Sequence, residues 1–334
     1  MPHSFAKPAH KIKAGPWARN LIFCLPLVLI MLSGCAAKSR DSNRLEYGNP
    51  SYRHVRDLPV NTMDLSSEIV ENTERILGEM SREHSERLGD AYLSRGSFHL
   101  AYMEYEKALE QKPGNSRIEY KKGLTLLLAK KFTDAIRQFE QVIEKDPVYA
   151  PAFEGLGRGH FLNKDYQRAE IYLKKAVELN PDLWIAHAYL GQIEDFRKNH
   201  LKAINHYQNA IAIRPERGSL YNNLGFSYFS AGKYPEAINA YQTAISKGFT
   251  QNKVHNNMAL AFAAMGKYDE ALACFKRGVG NAKAYNNLGA IYLEIGKYKK
   301  AAESFEKAVA ADPRFYAEAH NRLQTARNRL ENAK

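Results

Sequence analysis

The feature that most limits what this chain can fold into is a repeat. Gly89, Gly123, Gly157, Gly191, Gly225, Ala259 and Gly289 recur at intervals of 34, 34, 34, 34, 34 and 30 residues. Twelve residues after each marker stands an alanine: Ala101, Ala135, Ala169, Ala203, Ala237, Ala271 and Ala301. Four further on comes a large apolar residue: Tyr105, Phe139, Leu173, Tyr207, Tyr241, Phe275 and Phe305. Pro113, Pro147, Pro181, Pro215 and Pro313 close five of the units. One such coincidence means nothing. Seven in one order and period mean seven copies of one supersecondary unit. A unit of this length cannot bury its own apolar face, so neighbours must stack to make a core.

Physical chemistry assigns roles inside the unit. Small residues at the marker and alanine positions let two helices approach closely, and the aromatics fill the gaps between them. Proline ends the second helix, because the residue before it is disfavoured in the α region. In this pattern the chain resembles the tetratricopeptide repeat, a pair of antiparallel helices, over about residues 82–315. The resemblance implies an all-α, right-handed superhelical solenoid of about seven helix pairs. The polar stretch 316–334 reads as a C-terminal capping helix. Two departures stand out. Phe249 occupies the place of proline in the fifth unit, and the sixth unit is four residues short, with Gly278 in place of the usual alanine. Glycine ends helices early, so a shortened second helix and a local change of superhelix curvature are expected there.

Upstream of the array the sequence reads as an address. Lys7, Lys11, Lys13 and Arg19 precede the apolar run Leu21–Leu32, which is followed by Ser33 and Gly34. This is the charged, apolar, small-residue order of a secretory signal. The run is too short for a span, which needs about 20 apolar residues, and Pro26 interrupts it. Leu32-Ser33-Gly34-Cys35 resembles a bacterial lipobox, which implies cleavage after Gly34 and a covalent lipid on Cys35. Several acyl chains hold a protein firmly where one holds it marginally. Residue 36 is alanine and not the aspartate that resembles an inner-membrane retention signal, so the expected destination is the periplasmic face of the outer membrane. Residues 35–63 then form a lipidated terminus and tether, with 64–81 an N-terminal helix whose apolar residues recur at three and four. The 28 residues after Cys35 reach roughly 95 Å when stretched and about 30 Å as a coil.

The formal charge is +12, of which +4 lies in the first 34 residues. That balance favours anionic partners. Arg87, Arg117, Lys121 and Lys122 near the front of the array would add a preference for acidic segments. Enzyme signatures are missing. The glycines of Gly155-Leu156-Gly157-Arg158-Gly159-His160 are wrongly spaced for a dinucleotide loop and follow no strand. The histidines form no zinc-ligand set; His200 and His206, six apart, do not share a helix face. Hence no enzyme, no metal and no cofactor beyond the lipid are expected. An exported chain without a base-stacking module is not expected to bind nucleic acid.

What is left is the inner face of the array. In each first helix the residues two before and one after the marker should point into a groove. Asn223, Asn257 and Asn287 stand two before the marker in the last three units, with Asn222, Asn256 and Asn286 beside them. An amide both donates and accepts. Such a ladder either pairs with the backbone of an extended peptide, as in superhelical relatives of this family, or bonds neighbouring helices of the array itself. Tyr189, Phe161, Phe196, Phe226 and Phe229 fall on groove positions too, where aromatics anchor an apolar or amphipathic segment. Repeat lipoproteins of this kind resemble those serving pilus and secretion machines, including pilotins that assist a secretin, and most of all the Tad (Flp) pilus-assembly lipoprotein. A second resemblance is to envelope adaptors that recruit peptidoglycan hydrolases. Arrays of this family can also pair through their ends into homo-oligomers.

Overall fold

The computed structural model describes residues 83–312 and 316–333. The signal at 1–34, the tether at 35–63 with Cys35, and the expected helix at 64–81 lie outside the described residues. Among those described, fifteen helices and no strand are found. They fall into two compact bodies, divided between Leu179 and Asn180.

The first body holds three helix pairs. They are α1 (83–94) with α2 (Phe98–Gln111), α3 (Ser116–Leu128) with α4 (Phe132–Lys145), and α5 (Ala150–Leu162) with α6 (Tyr166–Leu179). The second body holds four. They are α7 (Trp184–Phe196) with α8 (His200–Ile213), α9 (Gly218–Ser230) with α10 (Tyr234–Ser246), α11 (Asn252–Ala264) with α12 (Tyr268–Val279), and α13 (Asn281–Glu294) with α14 (Tyr298–Ala311). The last helix, α15 (Tyr316–Glu331), packs on α14 and α13. Leu323 and Ala326 of α15 join Leu288, Tyr292 and Phe305 in one cluster. Within each body a helix packs on its neighbour in the chain or the next but one.

The repeat pattern maps onto this packing directly. A Cβ at Gly225 would lie 2.6 Å from the Tyr241 ring, and one at Gly123 would lie 2.5 Å from Phe139. The marker therefore lies flat against the large residue sixteen positions later, and that residue is wholly buried at Tyr105, Phe139, Leu173, Tyr241 and Phe305.

Each first helix ends in one motif. In α9, Gly232 N–H donates to Phe229 C=O at 2.9 Å and Lys233 N–H to Tyr228 C=O at 2.8 Å, with Gly232 at φ +77°. That is the paired bonding of a Schellman cap, which satisfies carbonyls the helix leaves open. The left-handed residue lies seven after each marker. It is Gly96, Gly232, Gly266 and Gly296 in four pairs but Lys130, Lys164 and Lys198 in the second, third and fourth. Phe249, where other units have proline, closes a similar cap. Gly248 N–H donates to Ile245 C=O and Phe249 N–H to Ala244 C=O, so a left-handed glycine ends α10 in place of a proline stop. The short sixth unit has the second helix expected of it. α12 has 12 residues, whereas α10 has 13 and α14 has 14. Gly280, at φ +82°, both ends α12 and begins α13. Gly278 is required by proximity, since a Cβ there would meet Asn256 Oδ1 at 2.5 Å and Asn252 C=O at 3.0 Å.

Candidate partner-binding face

The first helices of successive pairs touch: α3 with α5 in the first body, and α7 with α9 and α9 with α11 in the second. This places the residues around the markers on adjoining helices, as the register requires.

The asparagines do not form one uniform exposed row. Asn222, Asn257 and Asn286 are buried, while Asn223, Asn256 and Asn287 are half-buried. Asn222 Nδ2 donates to Asn223 Oδ1 at 3.3 Å. The Oδ1 atoms of Asn222, Asn256 and Asn286 are buried with no hydrogen-bond partner in the protein. Asn256 faces Gly278 of its own pair, so it packs between helices. Among the residues two before the marker, Asn223 and Asn287 keep accessible surface and Asn257 does not.

The aromatics divide likewise. Phe161 belongs to the first body, where it is buried with an edge-on contact to Tyr166 at 5.3 Å. Tyr189, Phe196, Phe226 and Phe229 belong to the second body. Tyr189 is buried, whereas Phe196, Phe226 and Phe229 are half-buried. Phe229 packs on Tyr234 at 5.6 Å. Three of the six half-buried candidates, Asn223, Phe226 and Phe229, lie on α9; Phe196, Asn256 and Asn287 lie singly on α7, α11 and α13.

The basic residues expected to attract acidic segments each have an acidic neighbour within the first body, and Arg87 and Arg117 remain largely exposed. Lys121 Nζ lies 2.6 Å from Glu86 and 2.7 Å from Asp90, and Arg117 lies 2.7 Å from Glu86. Lys122 pairs with Glu106 at 3.1 Å and Arg87 with Glu83 at 3.4 Å. Glu86 is buried and Tyr105 donates to Asp90 at 2.6 Å. Charge repetition on neighbouring helices had concealed these acids, which stand three before and one after Gly89.

Two further features had no sequence signal of their own. An open cleft of about 680 Å³ lies in the first body between α2, the end of α3 and α4, lined by Phe98, Tyr102, Met103, Leu126 and Gln138. None of the candidate residues lines it. In the second body, Asp195 on α7 is buried and accepts from His200 Nδ1 at 2.9 Å and Ser227 Oγ at 2.7 Å, with Tyr207 as a further donor. Burial raises its carboxyl above the usual range, and these donors oppose the shift. The cluster ties α7, α8 and α9 together. Among the described residues no group of three or more His, Cys, Asp or Glu could hold a metal, and no helix is long and apolar enough to cross a membrane.

This architecture is that of a helical-repeat scaffold for protein–protein interaction. Models of the tetratricopeptide repeat match residues 86–138, 120–183, 219–247, 253–280 and 282–315, together more than half of the chain. The chain belongs to the tetratricopeptide-repeat proteins. It is 36% identical over 75 residues to human Superkiller complex protein 3, and 35% identical over 75 residues to Xenopus laevis Tetratricopeptide repeat protein 37. Each match covers 22% of this chain and 5% of the relative, so the chain spans about one-twentieth of the curated relatives it matches. Among solved structures, Pseudomonas aeruginosa pilF is similar over 66% of this chain and 98% of that one, with TM-score 0.53 and 18% identity. The APC/C assembly Cut9–Hcn1 is similar over 78% of this chain and 52% of that one, with TM-score 0.53 and 20% identity. Both likenesses are of fold.

Proposed function

We propose that the chain is an exported scaffold, lipid-anchored at Cys35 and facing the periplasm from the outer membrane. Its array holds peptide segments of partner proteins and assists assembly of a pilus or secretion complex. The observation that carries the reading is the accessible amide and aromatic surface of α9, Asn223, Phe226 and Phe229, within a chain whose first 35 residues have the order of a lipoprotein signal. An amide offers a donor and an acceptor to an extended backbone, and flanking rings supply apolar anchors. The fold shared with pilF is compatible with this reading and does not select the partner.

The test is a photo-crosslinking residue at Phe226 in cells, with Leu201, which is 63% exposed on a second helix, as the comparison site. Capture of a secretin or pilus component at Phe226 and not at Leu201 is the expected result. Capture of a murein hydrolase at Phe226 would replace the assembly role by that of a hydrolase adaptor. Capture at Leu201 alone would remove the α9 surface from the account. Separately, a Cys35→Ala variant is expected to leave the membrane fraction after a high-salt wash, and its continued flotation would end the lipid-anchor reading.

A further inference from the structure

The positive charge is not shared evenly between the two bodies. Residues 83–179 of the first carry sixteen lysines and arginines against fifteen aspartates and glutamates. The described residues of the second carry nineteen against thirteen. Within the second body, residues 237–293 hold six basic side chains and two acids, Asp269 and Glu270. Both acids lie in the first turn of α12, whereas Lys276 and Arg277 lie in its last turn.

Antiparallel packing gathers the bases at one end of the helices. Each helix packs on the next and reverses direction, so the end of α10, the start of α11, the end of α12 and the start of α13 share one edge. Lys247, Lys253, Lys276, Arg277 and Lys283 stand on these four helix ends, with no acid among them. Lys307 of α14 joins them across Tyr285 of α13. Lys276 Nζ lies 4.7 Å and Lys307 Nζ 6.0 Å from the Tyr285 ring centroid, and Lys276 Nζ donates to Tyr285 Oη at 3.1 Å. Lys253 Nζ lies 5.6 Å from the Phe249 ring. Both rings are half-buried. Among the described residues neither Lys276 nor Lys307 has a carboxylate in ion-pairing range; Glu306, beside Lys307 in sequence, pairs with Arg327 at 2.8 Å. The opposite edge differs. Lys297 and Lys300 also lie over rings there, Tyr268 and Tyr292, but the carboxylates of Asp269 and Glu303 act on Tyr292.

Cations spread over the ends of five successive helices suit a layer of anions better than a single small one. Near an anionic bilayer each Lys or Arg contributes about 1 kcal/mol, and rings with one polar end settle at the headgroup level. A basic patch is also the kind of second signal that makes lipid anchoring stable. We infer that the edge formed by Lys247, Lys253, Lys276, Arg277, Lys283 and Lys307 docks on the phosphate headgroups of an anionic bilayer. This rests on the exported, lipid-anchored reading, which brings the chain to a membrane.

The test is flotation of the full-length Cys35→Ala chain with vesicles of phosphatidylcholine, alone or mixed with phosphatidylglycerol, titrated in lipid at low and high salt. Cys35 is replaced in every sample, so the result does not depend on lipidation, and the apolar leader is common to all. Lys276→Glu with Lys307→Glu is compared with Lys202→Glu with Lys233→Glu, the same change of charge at the opposite edge of the same body. The expected result is a preference for the phosphatidylglycerol vesicles that high salt removes. The first pair of substitutions should weaken that binding by at least about tenfold, while the second pair keeps most of it. Lys276→Gln with Lys307→Gln, with helix content checked by circular dichroism, should show a smaller loss in the same direction, which separates lost charge from lost fold. No preference for phosphatidylglycerol, equal losses in the two glutamate pairs, or binding unchanged by Lys276→Glu with Lys307→Glu would each overturn the assignment. Polyglutamate binding that this pair abolishes, with vesicle binding intact, would replace the bilayer by an acidic protein segment.

Discussion

At the scale of single residues, the most consequential positions are the left-handed ones. A side chain in that conformation brings its Cβ against the following carbonyl, at a cost of roughly 1 kcal/mol. Lys130, Lys164 and Lys198 bear that cost, at φ of 63°, 66° and 63°, where the other four pairs use glycine. Lys164→Gly is therefore expected to stabilise its pair by about 0.5–1 kcal/mol, read as slower amide exchange in α5 and α6. Buried and half-buried histidines lose stability for the fold as pH falls. His160, His187 and His255 are all held below their usual pKa of 6.5, in each case chiefly by burial. Below that value the unfolded chain takes up protons that the folded chain refuses, so stability present above pH 6.5 is lost as pH drops. Hydrogen exchange at pH 5 against pH 7.5 should show reduced protection in α5, α7 and α11. Equal protection at the two pH values would contradict this account.

At the scale of helices, the Asp195 cluster is the joint on which three elements depend. Removing the carboxylate in Asp195→Ala leaves His200, Ser227 and Tyr207 without their shared acceptor. Breaking a buried charged group from its partners costs about 3–5 kcal/mol. The expected outcome is local opening of α7–α9 in hydrogen exchange while α13 and α14 keep their protection. This cluster was illegible in the sequence because it joins positions from three helices with different offsets from their markers. Helix pairing was legible, because the contact that sets it, Gly225 on Tyr241 for instance, repeats at a constant separation. The site lay between these cases. The asparagines and aromatics were identifiable by register, yet register cannot say which of two adjacent amides turns inward. In the fifth and seventh units the first of the two, Asn222 and Asn286, is the buried one, whereas in the sixth it is the second, Asn257, while Asn256 packs against Gly278. The acids that neutralise Lys121 were missed for a related reason: their partners lie 31 to 35 residues away, on a neighbouring helix.

At the scale of the molecule, coupling is short-ranged. Because helices within a body pack only on near neighbours, stability should be a sum of unit and nearest-interface terms. Phe139 is wholly buried beside Tyr120, with ring centroids 5.6 Å apart. Phe139→Ala should cost about 3–5 kcal/mol. That loss should be confined to α3, α4 and α5, with exchange in α9–α14 unaltered. A uniform loss across both bodies would show that the chain unfolds as one cooperative block and that additive reasoning fails.

The constant fit of marker against aromatic has a consequence for how such a molecule can vary. Each pair is closed internally by the same kinds of residue at the same offset, a small marker against a large apolar side chain sixteen positions later. Removing the 34 residues from one marker to the next, inside one body, would rejoin surfaces already suited to each other. Length is thus a nearly free variable of this architecture, adjustable in whole steps. The short sixth unit, which gives up four residues and closes on Gly280, is the place where that interchangeability stops.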